Sequence, residues 1–360
     1  MNSIIAAVQL FFSIIIGMYF FIKLKSEGGD QKAIADDNKR EAEELLRLRK
    51  ISLNKPLNEE VRPKNISEIV GQENGIKALM AALCGENPQH ILIYGPPGVG
   101  KTAASRVALE AAKRSKGTPF GKNAPFVEVD ATVMQYDERC IADPLIGSVH
   151  DPIYQGAGAY GNDGIPQPKA GAVTKAHGGV LFVDEIGELS QAHINRLLKV
   201  LEDRRVMLES SYYSRKNKKI PTYIHDMFQN GLPADFRMIG ATTRKPEDIP
   251  EAIRSRCIEI HFNALSFEQI YEIVISACKR SSIKTDEGTV KYIAQHSKNG
   301  RDAVKILQML KNLISLEEKE SASLSDAKWV VNTVSGICEP KKANIIGISI
   351  GKPNDSATTA

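Results

Sequence analysis

The chain has 360 residues, which at roughly 150 residues per domain leaves room for two or three structural units. Hydrophobic residues make up 42% and charged residues 25%, a globular composition that excludes a wholly disordered chain, a collagen-like fibre and a polytopic membrane protein. The net charge of +4, from 47 basic and 43 acidic residues, is too small to direct the chain to nucleic acid by electrostatics alone.

Residues 2–22 carry no charge, and within 4–22 only Gln9 and Ser13 are polar. Nineteen residues at about 1.5 Å each reach about 28 Å, close to the thickness of a bilayer core. A cleaved signal peptide would carry basic residues before a shorter apolar stretch. Here Lys23 and Lys25 follow the run instead. Residues 1–25 are therefore expected to be one transmembrane helix, single-pass in the cell membrane, with the rest of the chain cytoplasmic. A buried core helix is the alternative. Gly28 and Gly29 then break the helix, and residues 36–50 are rich in Glu, Arg, Lys and Leu, all good helix formers. Residues 26–55 read as a charged helical stalk, with a short oligomerising coil as the alternative.

From residue 56 the pattern becomes α/β, with short apolar runs at 91–94, 126–129, 180–183, 238–241 and 258–262. The first and third are continuously apolar, as strands buried on both faces of a parallel sheet should be. The last alternates and suits an edge. Ser190 can cap a helix whose apolar face is Ile194, Leu197, Leu198 and Leu201. Beyond 264 the strand signals fade, and Ile270, Ile273, Val274 and Ala277 mark a helix face. The division expected is an α/β domain at 56–264, a helical domain at 265–338 and a flexible tail at 339–360. The five cysteines, Cys84, Cys140, Cys257, Cys278 and Cys338, form no Cys-x-x-Cys pair, so neither a disulfide framework nor a zinc site is expected.

Gly95, Pro96, Pro97, Gly98, Val99, Gly100, Lys101 and Thr102 match G-x-x-x-x-G-K-[ST] in full, after an apolar strand and at a possible helix start. Glycines let successive N–H groups point at phosphate oxygens, and the helix N-terminus adds its positive end. Lys101 is placed to neutralise the β- and γ-phosphates of ATP, and Thr102 to hold Mg²⁺. The run 180–183 ends in Asp184 and Glu185, two acids at the carboxyl end of a strand, where open α/β sheets bind ligands. Asp184 would hold Mg²⁺, and Glu185 would orient and deprotonate the attacking water.

With these motifs in order, the chain resembles the AAA+ ATPases. The resemblance implies a P-loop parallel-sheet core with a C-terminal helical lid. It implies that Ile69 and Val70, ahead of Gly71 and Gln72, pack on adenine. Thr243, in Gly240–Arg244, corresponds to the polar first sensor. Arg254 and Arg256 stand where an arginine finger acts across a subunit boundary, Arg256 being the better match. Arg301, within 299–303, corresponds to the second sensor near the γ-phosphate. A trans-acting finger implies a homo-oligomeric ring, usually a hexamer.

Residues 88–90, 142–152 and 229–237 narrow the resemblance to membrane-anchored LonB-type ATP-dependent proteases. By that resemblance the loop 153–172 threads unfolded polypeptide, with Tyr154 and Tyr160 gripping it. The family continues into a Ser/Lys proteolytic domain, whereas the sequence ends at Ala360. The expectation is thus ATP hydrolysis without serine peptidase activity in this chain, a separate peptidase subunit being one conceivable partner. No specific nucleic acid partner is expected. Two other readings stay open: an AAA+ motor on DNA, of branch-migration or clamp-loader type, and an ATP-binding scaffold without turnover.

Overall fold

The computed structural model describes residues 16–19, 43–50, 57–134, 143–150 and 165–335. Contacts divide the chain into two units, Met1–Lys55 and Pro56–Ala360. In the first, residues 16–19 and 43–50 are helical and exposed. The rest of the apolar run 2–22 lies outside the described residues, and no described helix is long and apolar enough to cross a membrane. Tyr154, Tyr160 and the tail 339–360 also lie outside them.

The second unit is built on strands β1 (His90–Tyr94), β2 (Phe126–Asp130), β3 (Gly147–His150), β4 (Gln167–Ala170), β5 (Val180–Asp184), β6 (Arg205–Val206), β7 (Leu232–Pro233), β8 (Arg237–Thr242) and β9 (Cys257–His261). Its main sheet runs β2-β5-β8-β1-β9 with every pairing parallel. The continuously apolar β1 and β5 are interior strands, and the alternating β9 is an edge, as the residue patterns predict. Successive side chains point to opposite faces of a strand. Accordingly Ile91, Ile93, Phe182 and Ile239 join one core, and Leu92, Leu181, Val183 and Met238 another.

Helices cover both faces. Helix α1 (Glu73–Leu83) and α2 (Lys101–Ala112) pack on the Phe182 side. On the other side, α3 (Gln191–Asp203) buries Ile194, Leu197 and Val200, and Ser190 caps it by accepting from His193 N–H. Helix α4 (Thr222–Asn230) belongs to an insert closed by the antiparallel pair β6–β7. Helices α5 (Phe267–Ser281), α6 (Glu287–Gln295), α7 (Gly300–Leu316) and α8 (Leu324–Ser335) form a separate core around Val274, Ile293 and Leu307. A full capping box, Ser266 with Gln269, starts α5.

One expectation needs correction. The described part of 153–172 is no loop: residues 167–170 are β4, paired antiparallel with β3, and Gly171 leads into a helical turn. The pairing packs the chain so closely that a Cβ on Gly171 would lie 2.4 Å from Gly147 N. The Gly and Pro content, read as loop, marks this tight crossing.

Gln72 ties the segment before the sheet to the segment after it. Its amide donates to Asn263 O at 2.8 Å and accepts from Asn263 N–H at 3.0 Å, with only 3% of Gln72 exposed. Asn263 directly precedes the helical domain, so the pair fixes where that domain departs. Gln72→Ala removes both bonds and is expected to cost about 1–3 kcal/mol, read as a lower urea midpoint with an unchanged slope.

Candidate active site

At the end of β1 the chain turns through residues 95–100 and enters α2 at Lys101. Gly98 and Gly100 have φ of +75° and +95°, the left-handed region that glycine adopts without strain. A Cβ on Gly98 would also sit 2.6 Å from Asn299 Oδ1, so the turn and the start of α7 fit together only with glycine there. Gly100 is the N-cap of α2, and the N–H groups of the first turn face the loop.

Lys101 is buried, with 7% of its surface exposed. Its Nζ donates to Gly95 O at 2.6 Å, Pro96 O at 3.3 Å and Thr242 O at 3.4 Å. Burial pushes its pKa down, Glu185 and Asp184 oppose the shift, and Arg301 adds to it. A buried ammonium with carbonyl partners and no carboxylate in contact is suited to a polyanion.

Asp184 ends β5 directly opposite Asp130 of β2. Burial, then Glu185 and Asp130, push its carboxyl pKa up, while Glu185 N–H and Lys101 hold it down. Glu185 has left-handed backbone, φ +48°, which costs a non-glycine residue about 1–2 kcal/mol. The strained turn aims its carboxylate across to β8. There Glu185 Oε2 accepts from Thr243 N–H at 3.0 Å and from Thr243 Oγ1 at 3.1 Å.

These groups open into a cavity of about 600 Å³, within the range of small-molecule sites. Its polar lining includes residues 97–102, Asp130, Thr132, Asp184 and Glu185, with Arg62, Glu68, Arg106, Glu128 and Arg280. Its apolar lining is Ile69, Val70, Leu265, Ile273, Ala277 and Val304, and Arg301 of α7 also lines it. Such a mixed lining suits a ligand that joins an apolar heterocycle to phosphates. Thr102 and Asp184 line the same cavity, and a hydroxyl and a carboxylate are hard oxygen donors of the kind Mg²⁺ takes.

The structure thus brings together Ile69, Val70, residues 97–102, Asp184, Glu185 and Arg301, with Thr243 joined through Glu185. Gly95 and Pro96 do not line the cavity. Gly95 packs against Phe262, and both carbonyls hold Lys101. Arg254 and Arg256 lie away from it: Arg254 pairs with Glu259 at 2.9 Å, and Arg256 with Glu202 and Ala252 O. Sequence reasoning missed Asp130, Thr132 and the pair Arg280–Glu68. Asp130 was findable as an acid closing the strand run 126–129. Arg280 carried no signal, since its partners Glu68 (2.9 Å) and Val61 O (2.8 Å) are more than 200 residues away.

Among proteins of known sequence, Lon protease 2 of Bacillus subtilis (strain 168) is 54% identical over 341 residues, covering 95% of this chain and 61% of that protein. The chain thus spans about three fifths of the length of that relative. The family profile described as magnesium chelatase, subunit ChlI, matches residues 65–225. Among solved structures, the Thermotoga maritima RuvB Holliday junction branch migration motor superposes with a TM-score of 0.51 at 20% identity, covering 76% of this chain and 73% of that one. Brucella abortus NtrX, solved with ADP, superposes with a TM-score of 0.50 at 19% identity, covering 82% and 62%. The fold is the α/β P-loop fold of AAA+ proteins, with a parallel sheet as in RuvB.

The raised pKa of Asp184 has a consequence for stability. The folded chain holds that proton more tightly than the unfolded chain, so stability is gained as pH falls through the folded pKa. At neutral pH the ionised side chain weighs against the fold. Without nucleotide, Asp184→Asn is expected to raise the melting midpoint at pH 7, with the gain shrinking as pH is lowered. Thermal melts by circular dichroism at several pH values check this.

Proposed function

We propose that this chain is an ATP-hydrolysing motor that remodels or unfolds polypeptide, working as a homo-oligomeric ring. The observation that carries the ATPase reading is the convergence of the phosphate loop, Asp184, Glu185 and Arg301 on one cavity that Ile69, Val70 and Ile273 also line. In this reading Ile69, Val70 and Ile273 enclose adenine. The N–H groups of residues 98–102 and Lys101 hold the phosphates. Thr102 and Asp184 would hold Mg²⁺, whose chemistry is to neutralise charge on the β- and γ-phosphates.

Glu185 takes the proton of the attacking water, and Thr243 orients it through the two hydrogen bonds to Oε2. Arg301 approaches the γ-phosphate from the lid. Arg256 is exposed and outside its own chain's cavity, which suits a finger that serves the neighbouring subunit, with Arg254 as the second choice. The polypeptide substrate is inferred from the 54% identity to a protein named as a protease, and the proposal for this chain is confined to the motor.

Glu185→Gln should bind ATP and not turn it over, Lys101→Ala should lose nucleotide binding, and Arg256→Ala should be inactive alone. Mixing Arg256→Ala with Glu185→Gln subunits pairs intact Glu185 sites with intact neighbouring Arg256. Partial recovery of phosphate release is the expected result; full activity of Arg256→Ala by itself refutes the trans assignment.

We further place the chain in the cell membrane as a single-pass protein with its ATPase module in the cytoplasm. The uncharged run 2–22 followed by Lys23 and Lys25 supports this. The chain should resist alkaline carbonate extraction and be protected from protease added to intact cells; release into the soluble fraction contradicts the placement.

A further inference from the structure

Between β6 and β7 the insert carries four basic residues within the five positions 215–219. Residues 210–219 contain Arg215, Lys216, Lys218 and Lys219 and no acid. Arg215, Lys216 and Lys218 are exposed, and no carboxylate pairs with any of them among the described residues. Tyr212 stands beside them, 41% exposed.

The loop is held in shape. Tyr213 stacks on Phe228 of α4 at 4.3 Å between ring centroids. Its hydroxyl lies 3.1 Å from His225 Nδ1, and Gln229 donates to that hydroxyl at 3.2 Å. His225 Nε2 reaches Asn217 O at 3.2 Å, in the middle of the basic run. With Nε2 donating to that carbonyl, Nδ1 accepts from Tyr213, so one tautomer satisfies the whole chain of bonds. Local turns add to this: Ser214 Oγ accepts from Lys216 N–H and Asn217 Oδ1 from Lys219 N–H. The charges are thus displayed on a fixed frame, so their ordering is not left to the ligand.

The frame is joined to the β3–β4 hairpin. Ile220, Ile224 and Phe228 of the insert form one apolar cluster with Ile165, which leads into β4, and Val149 of β3 packs against it. Strand β4 of that hairpin lies within the stretch 153–172, to which the polypeptide reading assigns substrate handling.

We propose that the loop 210–219 is a docking surface for acidic segments of polypeptide, with Arg215, Lys216 and Lys218 as the charges that recognise them. The proposal rests on the polypeptide-motor reading. A polypeptide fits better than a nucleic acid, because the four basic residues form one short run, and the exposed tyrosines of the insert are two, Tyr212 and Tyr223. A nucleic acid would call for a longer basic track with several stacking rings. Exposed charges of this kind act through salt-sensitive attraction that steers and selects.

The test measures fluorescence anisotropy of three labelled probes on the full chain with ATP. They are an unstructured peptide rich in Glu, the same peptide with Gln for Glu, and a single-stranded oligonucleotide of equal charge. The Glu peptide should bind roughly tenfold tighter than the Gln peptide at low salt, three exposed pairs each contributing a fraction of that factor. The preference should vanish at high salt and in the triple variant Arg215→Gln, Lys216→Gln, Lys218→Gln, while that variant keeps its circular dichroism spectrum and its affinity for the Gln peptide. Equal binding of both peptides by the wild type, or an undiminished preference in the triple variant, overturns the docking proposal and leaves the motor reading intact. Binding of no peptide of either kind overturns both. An oligonucleotide that binds tighter than the Glu peptide, and loses this in the triple variant, assigns the loop to nucleic acid and overturns the proposal.

Discussion

Lys101 is the buried charge on which the arrangement of the site depends. Its ammonium reaches three carbonyls, two from the phosphate loop and one from the end of β8. An ammonium withdrawn from water is costly unless its donors are met. The loop and β8 must therefore stay in register, and the parallel pairing of Tyr94 with Thr242 provides that. Gly95 N–H adds a bond to Thr242 O at 3.2 Å, so backbone and side chain pin the loop to the same carbonyl. One residue beyond that carbonyl is Thr243, which holds Glu185. Lys101 and Glu185 are in this way linked through a single strand end.

The acidic side of the site stores cost instead of stability. Asp184 is half-buried near two other carboxylates, and Glu185 sits in left-handed backbone. Both features weigh against the fold of the free chain. They are the features that a bound cation and phosphate would relieve, which is the usual trade between stability and activity in a preorganised site. The stable remainder of the unit, the two cores on either face of the sheet and the third within the helical domain, carries that cost.

How much of this was legible in the sequence differs from residue to residue. Residues 95–102 were readable because glycine positions and a lysine at fixed spacing are a local requirement of backbone geometry. The burial of β1 and β5 and the edge position of β9 followed from their apolar patterns, since exposure to one face or two is written in alternate residues. The hairpin β3–β4 was not readable: Pro168 and Gly171 look like loop residues, and only the antiparallel partner makes them a strand and a tight crossing. The insert was missed for a related reason. Helix α4 buries only Ile224 and Phe228, too few positions to show a helical period.

By itself the sequence determined the elements whose cause is local: the phosphate loop, the acids closing β5, the Ser190 cap and the run of interior strands. Tertiary structure alone decided which groups share a space. Arg301 reaches the cavity because α7 starts against Gly98, and Arg280 holds Glu68 and Val61 O from more than 200 residues away. It also separated Arg254 and Arg256 from their own chain's cavity, though they follow Thr243 closely in sequence. The physical reason is that backbone conformation and hydrophobic period act over a few residues. Contacts between side chains depend on strand order and domain packing, and neither is encoded at any one position.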